Sequence, residues 1–417
     1  MSMADGSDST LQIPLPERFN VHPLIQPQWR LTDMSGPHNG GMVMDELKQE
    51  LCRQYGVKYC VPVDRARSGI WLVSQALRLR GAWMSASFMH RPTGVLLANL
   101  ASSLQFVDIG DDFNIDPDAV EAAVTKDTEV LFVTHMFGKA AKMERLRAIA
   151  DRYGLVMIEN AVHMAGNIDT GGRRLGSWGD AAVVSFNVDK PVGGILGGAL
   201  LTNREDIYRA ASALKLSAPD YREVAGRLAT TYLAYRLKPQ LLRVAPFVRN
   251  MREVDAVSET EAFALSAYQS YVPRRINRIQ ALVALAGLRR LNEYQSLRRR
   301  NAQRLSSRIA GLPGIRVPQT GHEAGDGCLY YPVRLVDSSL RYQFGWDLAR
   351  SGIETKWRYY PLHRQPGFEN CPHGDLPVTE AAWKDHLVLP IGPSTSLADI
   401  DRMADAITDV IPRRAES

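Results

Sequence analysis

Residues 158–203 read IENAVHMAGNIDTGGRRLGSWGDAAVVSFNVDKPVGGILGGALLTN. Two apolar runs frame the reading. Leu155–Ile158 leads directly into Glu159 and Asn160. Ala181–Phe186 leads to Asp189 and Lys190, then to Gly193, Gly194, Gly197 and Gly198. Short apolar runs that stop at polar and glycine residues are the pattern of buried strands whose C-terminal edge carries a site. A lysine beside a glycine-rich turn thus stands where two such strands finish. It is either a solvated surface charge, as most lysines are, or an amine desolvated enough to lower its pKa and form a Schiff base with a carbonyl.

Outward from this stretch, strands and helices alternate. Met44–Tyr55 has helical spacing of Leu47, Leu51 and Tyr55, with Gly56 as the stop. Tyr59–Val63 then runs into the loop 64–69, followed by a helix over Ser68–Arg80. The start of such a helix is an anion site, because its first amides are unpaired. Met84–Thr93 is followed by a helix to about Ser102 and a short buried strand over Leu104–Asp108. Asp116 caps a helix over Pro117–Val124. Val130–His135 is a buried strand, Lys142–Tyr153 a helix closed by Gly154, and Leu155–Ile158 the next strand. The alternation predicts an α/β domain with a mostly parallel sheet and helices on both faces.

Downstream, Arg274–Asn301 reads as one long helix with Ile276, Ile279, Leu282, Leu285, Leu288 and Leu291 on its apolar face. From Gly314 a smaller C-terminal α/β domain is expected. It has strands at Leu329–Leu335 and Glu354–Trp357, a helix over Tyr342–Ser351 and a final helix from the cap Ser396 to Ile411. The expected organisation is an N-terminal arm (1–40), a large domain (41–262), a connecting helix (263–313) and a small domain (314–417). Residues 204–252 hold ten Lys/Arg against four Asp/Glu, which marks 204–262 as a basic helical insertion. It serves either as a surface for anionic lipid or nucleotide-sugar, or as a solvated face over a dimer contact.

The 417 residues suffice for such a pair of domains. The net charge of +5 comes without long basic runs, which points to anionic small ligands rather than nucleic acid. Cys52, Cys60, Cys328 and Cys371 have no CxxC spacing. That argues against a zinc site or disulfide framework and fits a reducing cytosol, so no metal is expected. The opening MSMADGSDST is polar and reads as no secretory signal, and no apolar run has membrane-spanning length.

The order Glu-Asn-x-x-His, Gly-Asp, Ser-Phe-x-x-x-Lys, Gly-Gly resembles the DegT-type sugar aminotransferases, a family that uses pyridoxal 5'-phosphate. Glu159, His163, Gly179, Asp180, Ser185, Phe186, Lys190, Gly197 and Gly198 match that pattern in order and spacing. Asn160 stands where the family has aspartate. Tyr359–Pro366 resembles the family's Y-P-x-P-L-H-x-Q segment, and Arg275, Gln280 and Ala281 match its N-Y-R-M-S-x-x-Q-A motif, whose asparagine is Pro273 here. The resemblance implies the fold of type I pyridoxal-phosphate enzymes, a homodimer with a shared active site and a cytoplasmic location. It implies transfer of an amino group from a small-molecule donor, glutamate or glutamine, to a keto-sugar that is nucleotide-linked or to a similar cyclic ketone.

The resemblance also implies residue roles. Lys190 forms the Schiff base. Ala66, Arg67 and Ser185 hold the cofactor phosphate, with Ser68 as a substitute hydroxyl. His90 stacks on the ring, His163 sits near the ring hydroxyl and Asn160 lies opposite the ring nitrogen. His363 faces the substrate. Bland readings stand beside these: Arg65 and Arg67 as solvated loop charges, His90 as a turn histidine, His363 as structural. Two alternatives accompany transamination: another reaction in the same pocket, because Asn160 carries no charge, or a non-catalytic homologue, because Arg67, Asn160 and Pro273 depart from the family's contacts. The family's dehydratase branch has histidine at the lysine position, and Lys190 argues against that branch.

Overall fold

The computed structural model describes residues 40–169, 171–244, 271–317 and 326–411. A seven-stranded sheet is built from β1 (Tyr59–Val63), β2 (Ala82–Ala86), β3 (Leu104–Val107), β4 (Thr128–Thr134), β5 (Val156–Asn160), β6 (Ala181–Ser185) and β7 (Gly198–Thr202). Its order is β1-β7-β6-β5-β4-β2-β3. The pairs β6–β5, β5–β4, β4–β2 and β2–β3 are parallel, and only β7 runs against its neighbours. The mostly parallel sheet expected from the sequence is therefore present.

Strand alternation assigns the two faces. Met84, Leu131, Val133, Met157, Val184 and Leu201 point into one core with α1 (Gly40–Tyr55) and α5 (Met143–Tyr153). Trp83, Val130, Phe132, Ile158, Val183 and Leu200 point into the other, with α2 (Ala66–Ala76) and α3 (Arg91–Leu100). The short α4 (Pro117–Ala123) has Asp116 as its side-chain cap, as read. Gly154, at φ 67°, closes α5.

The small antiparallel sheet has the order β10 (His386–Leu389), β9 (Tyr331–Leu335), β8 (Ile315–Arg316). Around it lie α10 (Arg341–Arg350), α11 (Pro377–Asp385) and α12 (Leu397–Val410), the last started by a Ser396–Asp399 capping box. Its core is separate from those of the large sheet.

Several expectations change. β2 lies inside the sheet, although no strand was expected over its sequence AWMSA; Ser85 is accommodated by donating to the Phe132 carbonyl at 3.2 Å. The connecting helix is two helices, α8 (Arg278–Arg289) and α9 (Leu291–Ile309), broken at Arg290. Leu285, Leu288 and Leu291 are all buried, so the apolar period runs through the break and hides it. Glu354–Trp357 is not a strand; only Lys356 bridges to Val388. The insertion forms α6 (Glu205–Ala213) and α7 (Tyr221–Val244). α7 buries Val224 and Leu228 in its first turns and exposes Leu233 and Leu237. Residues 1–39, 245–262 of the insertion and 263–270 of the connecting segment lie outside the described residues.

Backbone approach explains one glycine of the lysine block. A Cβ on Gly198 would lie 2.4 Å from the Val184 carbonyl oxygen and 2.7 Å from the Ala66 amide nitrogen. Gly198→Ala is expected to destabilise the protein by about 1–3 kcal/mol through overpacking. Gly226→Ala, in α7 with nothing within 4 Å of the new methyl, is expected to stabilise by up to about 1 kcal/mol. Denaturant midpoints of the two variants, measured side by side, check the opposite signs.

Candidate active site

Parallel strands deliver their C-terminal ends to one edge of the sheet. β2 ends at the Ser87–His90 segment, β4 at Thr134–His135, β5 at Asn160 and β6 at Ser185. Glu159, just before the end of β5, is fully buried and accepts from the amides of Gly176, Trp178 and Gly179 at 2.8, 2.5 and 2.6 Å. His135 Nδ1 accepts from the Ala141 amide, so its Nε2–H donates to Glu159 at 3.2 Å. This carboxylate folds the loop between β5 and β6 back onto the edge.

Lys190 lies in the turn after β6, with its amide donating to the Asn187 carbonyl at 3.0 Å. Its side chain is 13% exposed, and Nζ sits 3.3 Å from Asp189 Oδ2. Arg358 Nη1 is 3.6 Å from the same carboxylate. Asn187 Nδ2 donates to Asp189 Oδ1 at 2.8 Å. Burial works against ionising Asp189, but Lys190 and Arg358 outweigh it and hold the carboxyl well below its usual range. The Arg358 guanidinium lies 5.3 Å from the Tyr330 ring centroid and 5.9 Å from that of Tyr359, a cation over aromatic faces.

His163 is buried, and its ring lies parallel to that of Tyr359 with centroids 6.4 Å apart. Its Nε2 is 3.4 Å from the Tyr359 hydroxyl, and its buried Nδ1 has no partner among the described residues. Burial first, then the charge of Lys190, keep the imidazole neutral well below its ordinary range. His90 sets its ring edge-on to Tyr359 at 6.1 Å and stays open to solvent. Dense surroundings, Lys190 and Arg67 also lower its pKa. Asn160 is 6% exposed, and its Nδ2 donates to Thr134 Oγ1 at 3.1 Å.

At the other end of the cluster, α2 begins at Ala66 after Arg65, which supplies no side-chain cap. Arg67 is half-buried, 6.0 Å from the Tyr271 ring centroid. Ser185 is half-buried, and its Oγ accepts from the Asn187 amide at 3.3 Å.

Two of the expected site residues are bonded within the protein. Ser68 is fully buried and turned inward, donating to Asp64 at 2.6 Å with Tyr271 Oη at 2.8 Å, so its hydroxyl is not offered to an anion. His363, expected to face the substrate, uses both ring nitrogens within the protein: Nδ1 on Ser87 Oγ and Nε2 on Glu380 Oε1, each at 2.7 Å. Asp189, Arg358, Tyr330 and Tyr359 received no role from the sequence. The only signal for Asp189 was its place beside Lys190, and Arg358 arrives from a segment 168 positions further on.

Residues 30–408 match the model of the DegT/DnrJ/EryC1/StrS aminotransferase family. The dTDP-3-amino-3,4,6-trideoxy-alpha-D-glucose transaminase of Micromonospora megalomicea subsp. nigra is 27% identical over 384 residues, covering 89% of this chain and 90% of that protein. GDP-perosamine synthase of Caulobacter vibrioides is 29% identical over 304 residues, covering 72% of this chain and 70% of that protein. The crystal structure of DesI in the presence of its TDP-sugar product is similar at TM-score 0.69 and 25% identity, covering 91% of this chain and 88% of that one.

Neutral, buried His163 makes stability pH-dependent. The unfolded chain takes up a proton at this residue near pH 6.5, whereas the folded chain does so only well below that. Below pH 6.5 the unfolded state therefore binds more protons, and stability falls with pH by up to about 1.4 kcal/mol per unit. His90 adds less, because water reaches its ring. In cofactor-free protein, His163→Gln is expected to flatten the fall in melting temperature between pH 6.5 and 5; an unchanged slope contradicts the assignment.

Proposed function

The chain belongs to the DegT/DnrJ/EryC1/StrS aminotransferase family, and we propose that it uses Lys190 to transfer an amino group to a nucleotide-linked keto-sugar or similar cyclic ketone. The enzyme is an aminotransferase and depends on pyridoxal 5'-phosphate. The observation that carries the reading is the half-buried amine of Lys190, set at the sheet edge among Asp189, Arg358, His90 and His163. Two relatives bear the names of enzymes of dTDP- and GDP-linked amino sugars, which supports the acceptor class. Glutamate or glutamine is the proposed donor. The reading includes a homodimer with a shared active site and a cytoplasmic location. No helix among the described residues is long and apolar enough to cross a membrane.

The residues present fit the cofactor. A buried imidazole nitrogen at His163, without a partner among the described residues, suits a ring hydroxyl. The head of α2, with no side-chain cap, suits a phosphate. Ala66, Arg67 and Ser185 would hold that phosphate, His90 would lie against the ring, His163 would meet its hydroxyl and Asn160 its nitrogen. When bound, the cofactor supplies an electron sink for the carbon that gains or loses the amine.

The protein supplies attachment and proton handling. Lys190 Nζ is the nucleophile and, once released, the group that moves a proton at the reacting carbon. Asp189, held ionised, lies 3.3 Å from Nζ and pairs with it. Tyr330, Tyr359 and Phe137 wall the cluster with aromatic surface, which limits water around the charges and strengthens their interaction.

Purified protein mixed with pyridoxal phosphate is expected to show the absorption band of lysine-bound cofactor, and Lys190→Ala to lose it. Turnover with a nucleotide-linked keto-sugar and glutamate should fall about 10²–10⁴-fold in that variant. Absence of the band in the unaltered protein, or full turnover in Lys190→Ala, overturns the reading.

A further inference from the structure

Cys52 and Cys60 have no motif spacing, yet the fold sets them against each other. Cys52 lies in the last turn of α1, and Cys60 is the second residue of β1. The Val57 amide donates to the Cys52 carbonyl at 3.1 Å, which turns the chain back along the helix. Cys60 is 4% exposed, and its S–H donates to the Lys48 carbonyl at 3.6 Å. That carbonyl belongs to the helical turn that the amide of Cys52 closes four residues on. Helical side chains lean toward the N-terminus over the preceding turn. The Cys52 thiol therefore overlies the turn on which Cys60 rests. The Cys60 S–H is within hydrogen-bonding reach of the Cys52 sulfur and holds that thiol below its ordinary pKa, against the effect of burial. The same contact and burial push Cys60 up. Cys52 is half-buried, whereas Cys60 belongs to the core.

We propose that Cys52 and Cys60 form a modification site, at which hydrogen peroxide oxidises Cys52 and Cys60 converts the product to a disulfide between α1 and β1. The Cys52 thiolate attacks a peroxide oxygen: an S–O bond forms, the O–O bond breaks, and the departing hydroxide takes up a proton to become water. The Cys60 sulfur then attacks the Cys52 sulfenic acid: an S–S bond forms, the S–O bond breaks, and the hydroxyl leaves as water with the Cys60 proton. Two thiols and one peroxide give one disulfide and two waters, and a dithiol reductant reverses the change. Burial sets the order, because a dissolved oxidant reaches the half-buried sulfur before the enclosed one. The bridge would fasten a turn whose two sides lead to the site. Tyr55 donates to the Met164 carbonyl at 3.2 Å, next to His163, and β1 runs into the 64–67 loop at the head of α2. The inference does not depend on the role given to Lys190.

The test treats the full-length protein with hydrogen peroxide, blocks the remaining thiols with iodoacetamide and digests it with trypsin without reduction. Trypsin cuts after Arg53 and Lys58, so the two cysteines leave on separate peptides unless they are bridged. A species joining 49–53 to 59–65 is expected, and dithiothreitol should return both thiols to the alkylated form. Cys371 is also half-buried, but burial pushes its thiol up to about 11, and it should stay open to alkylation at the same dose. Cys60→Ala should stop the reaction at the Cys52 sulfenic acid, which dimedone captures, and Cys52→Ser should leave Cys60 unlabelled. Absence of the joined species from the unaltered protein overturns the proposal whatever the variants do. Cys52 joined to Cys328 or Cys371 instead of Cys60 overturns it as well, as does dimedone capture at Cys60 in Cys52→Ser.

Discussion

The Glu159 carboxylate is the interaction on which the sheet edge depends. It is fully removed from water, a position that costs several kcal/mol for an isolated charge. Three backbone amides and the His135 imidazole compensate for that cost. These donors come from a loop that leaves β5 and returns to β6 and from the segment after β4. One carboxylate thus ties three strand ends together, and Asn160 and His163 follow it directly in the chain. Asp180 extends the arrangement at the start of β6, accepting from the Met157 amide and from Arg147 and Arg204. The rigidity of the site comes from carboxylates that take no part in its chemistry.

Charge within the cluster is balanced differently. Lys190 and Arg358 share the Asp189 carboxylate, while two histidines beside them stay neutral. His163 is kept uncharged first by its enclosure and then by the charge of Lys190; at His90, which water reaches, dense surroundings and the nearby cations act in the same direction. A neutral imidazole retains one nitrogen able to accept, which an imidazolium lacks. Holding the cations close therefore preserves the acceptor capacity of the groups that surround them.

Much of this fold was legible in the sequence because the strands are buried on both faces. Leu155–Ile158 and Ala181–Phe186 are continuous apolar runs, and polar residues mark where they stop. β2 was not legible, because Ser85 and two alanines dilute its apolar signal while the hydrogen bond to Phe132 makes the serine tolerable. The break at Arg290 was hidden because both α8 and α9 bury the same face. In the site, the place of Lys190 at a strand end was legible from its glycine-rich turn, while Asn160 and His163 entered only through the family resemblance. Asp189 was quoted but given no role, since adjacency in sequence does not reveal that its carboxylate turns back onto Nζ. Arg358, Tyr330 and Tyr359 reach the cluster only through the packing of the smaller sheet against the larger, which no local pattern records.

His363 shows how that packing is held. Its imidazole joins Ser87, three residues before His90, to Glu380 on α11, and its own segment carries Arg358 and Tyr359. The Leu362 amide donates to the Ser87 carbonyl at 3.0 Å, and Arg91 donates to Gln365 Oε1 at 2.8 Å and the Pro366 carbonyl. Close approach reinforces the bonds, since a Cβ on Gly94 would fall 2.2 Å from Leu362 Cδ1. The segment that brings a cation and an aromatic ring to Lys190 is thus clamped to the loop that carries His90. A histidine in a motif that resembles a substrate-facing one is here part of the frame, because two partners at 2.7 Å leave its ring no nitrogen for anything else.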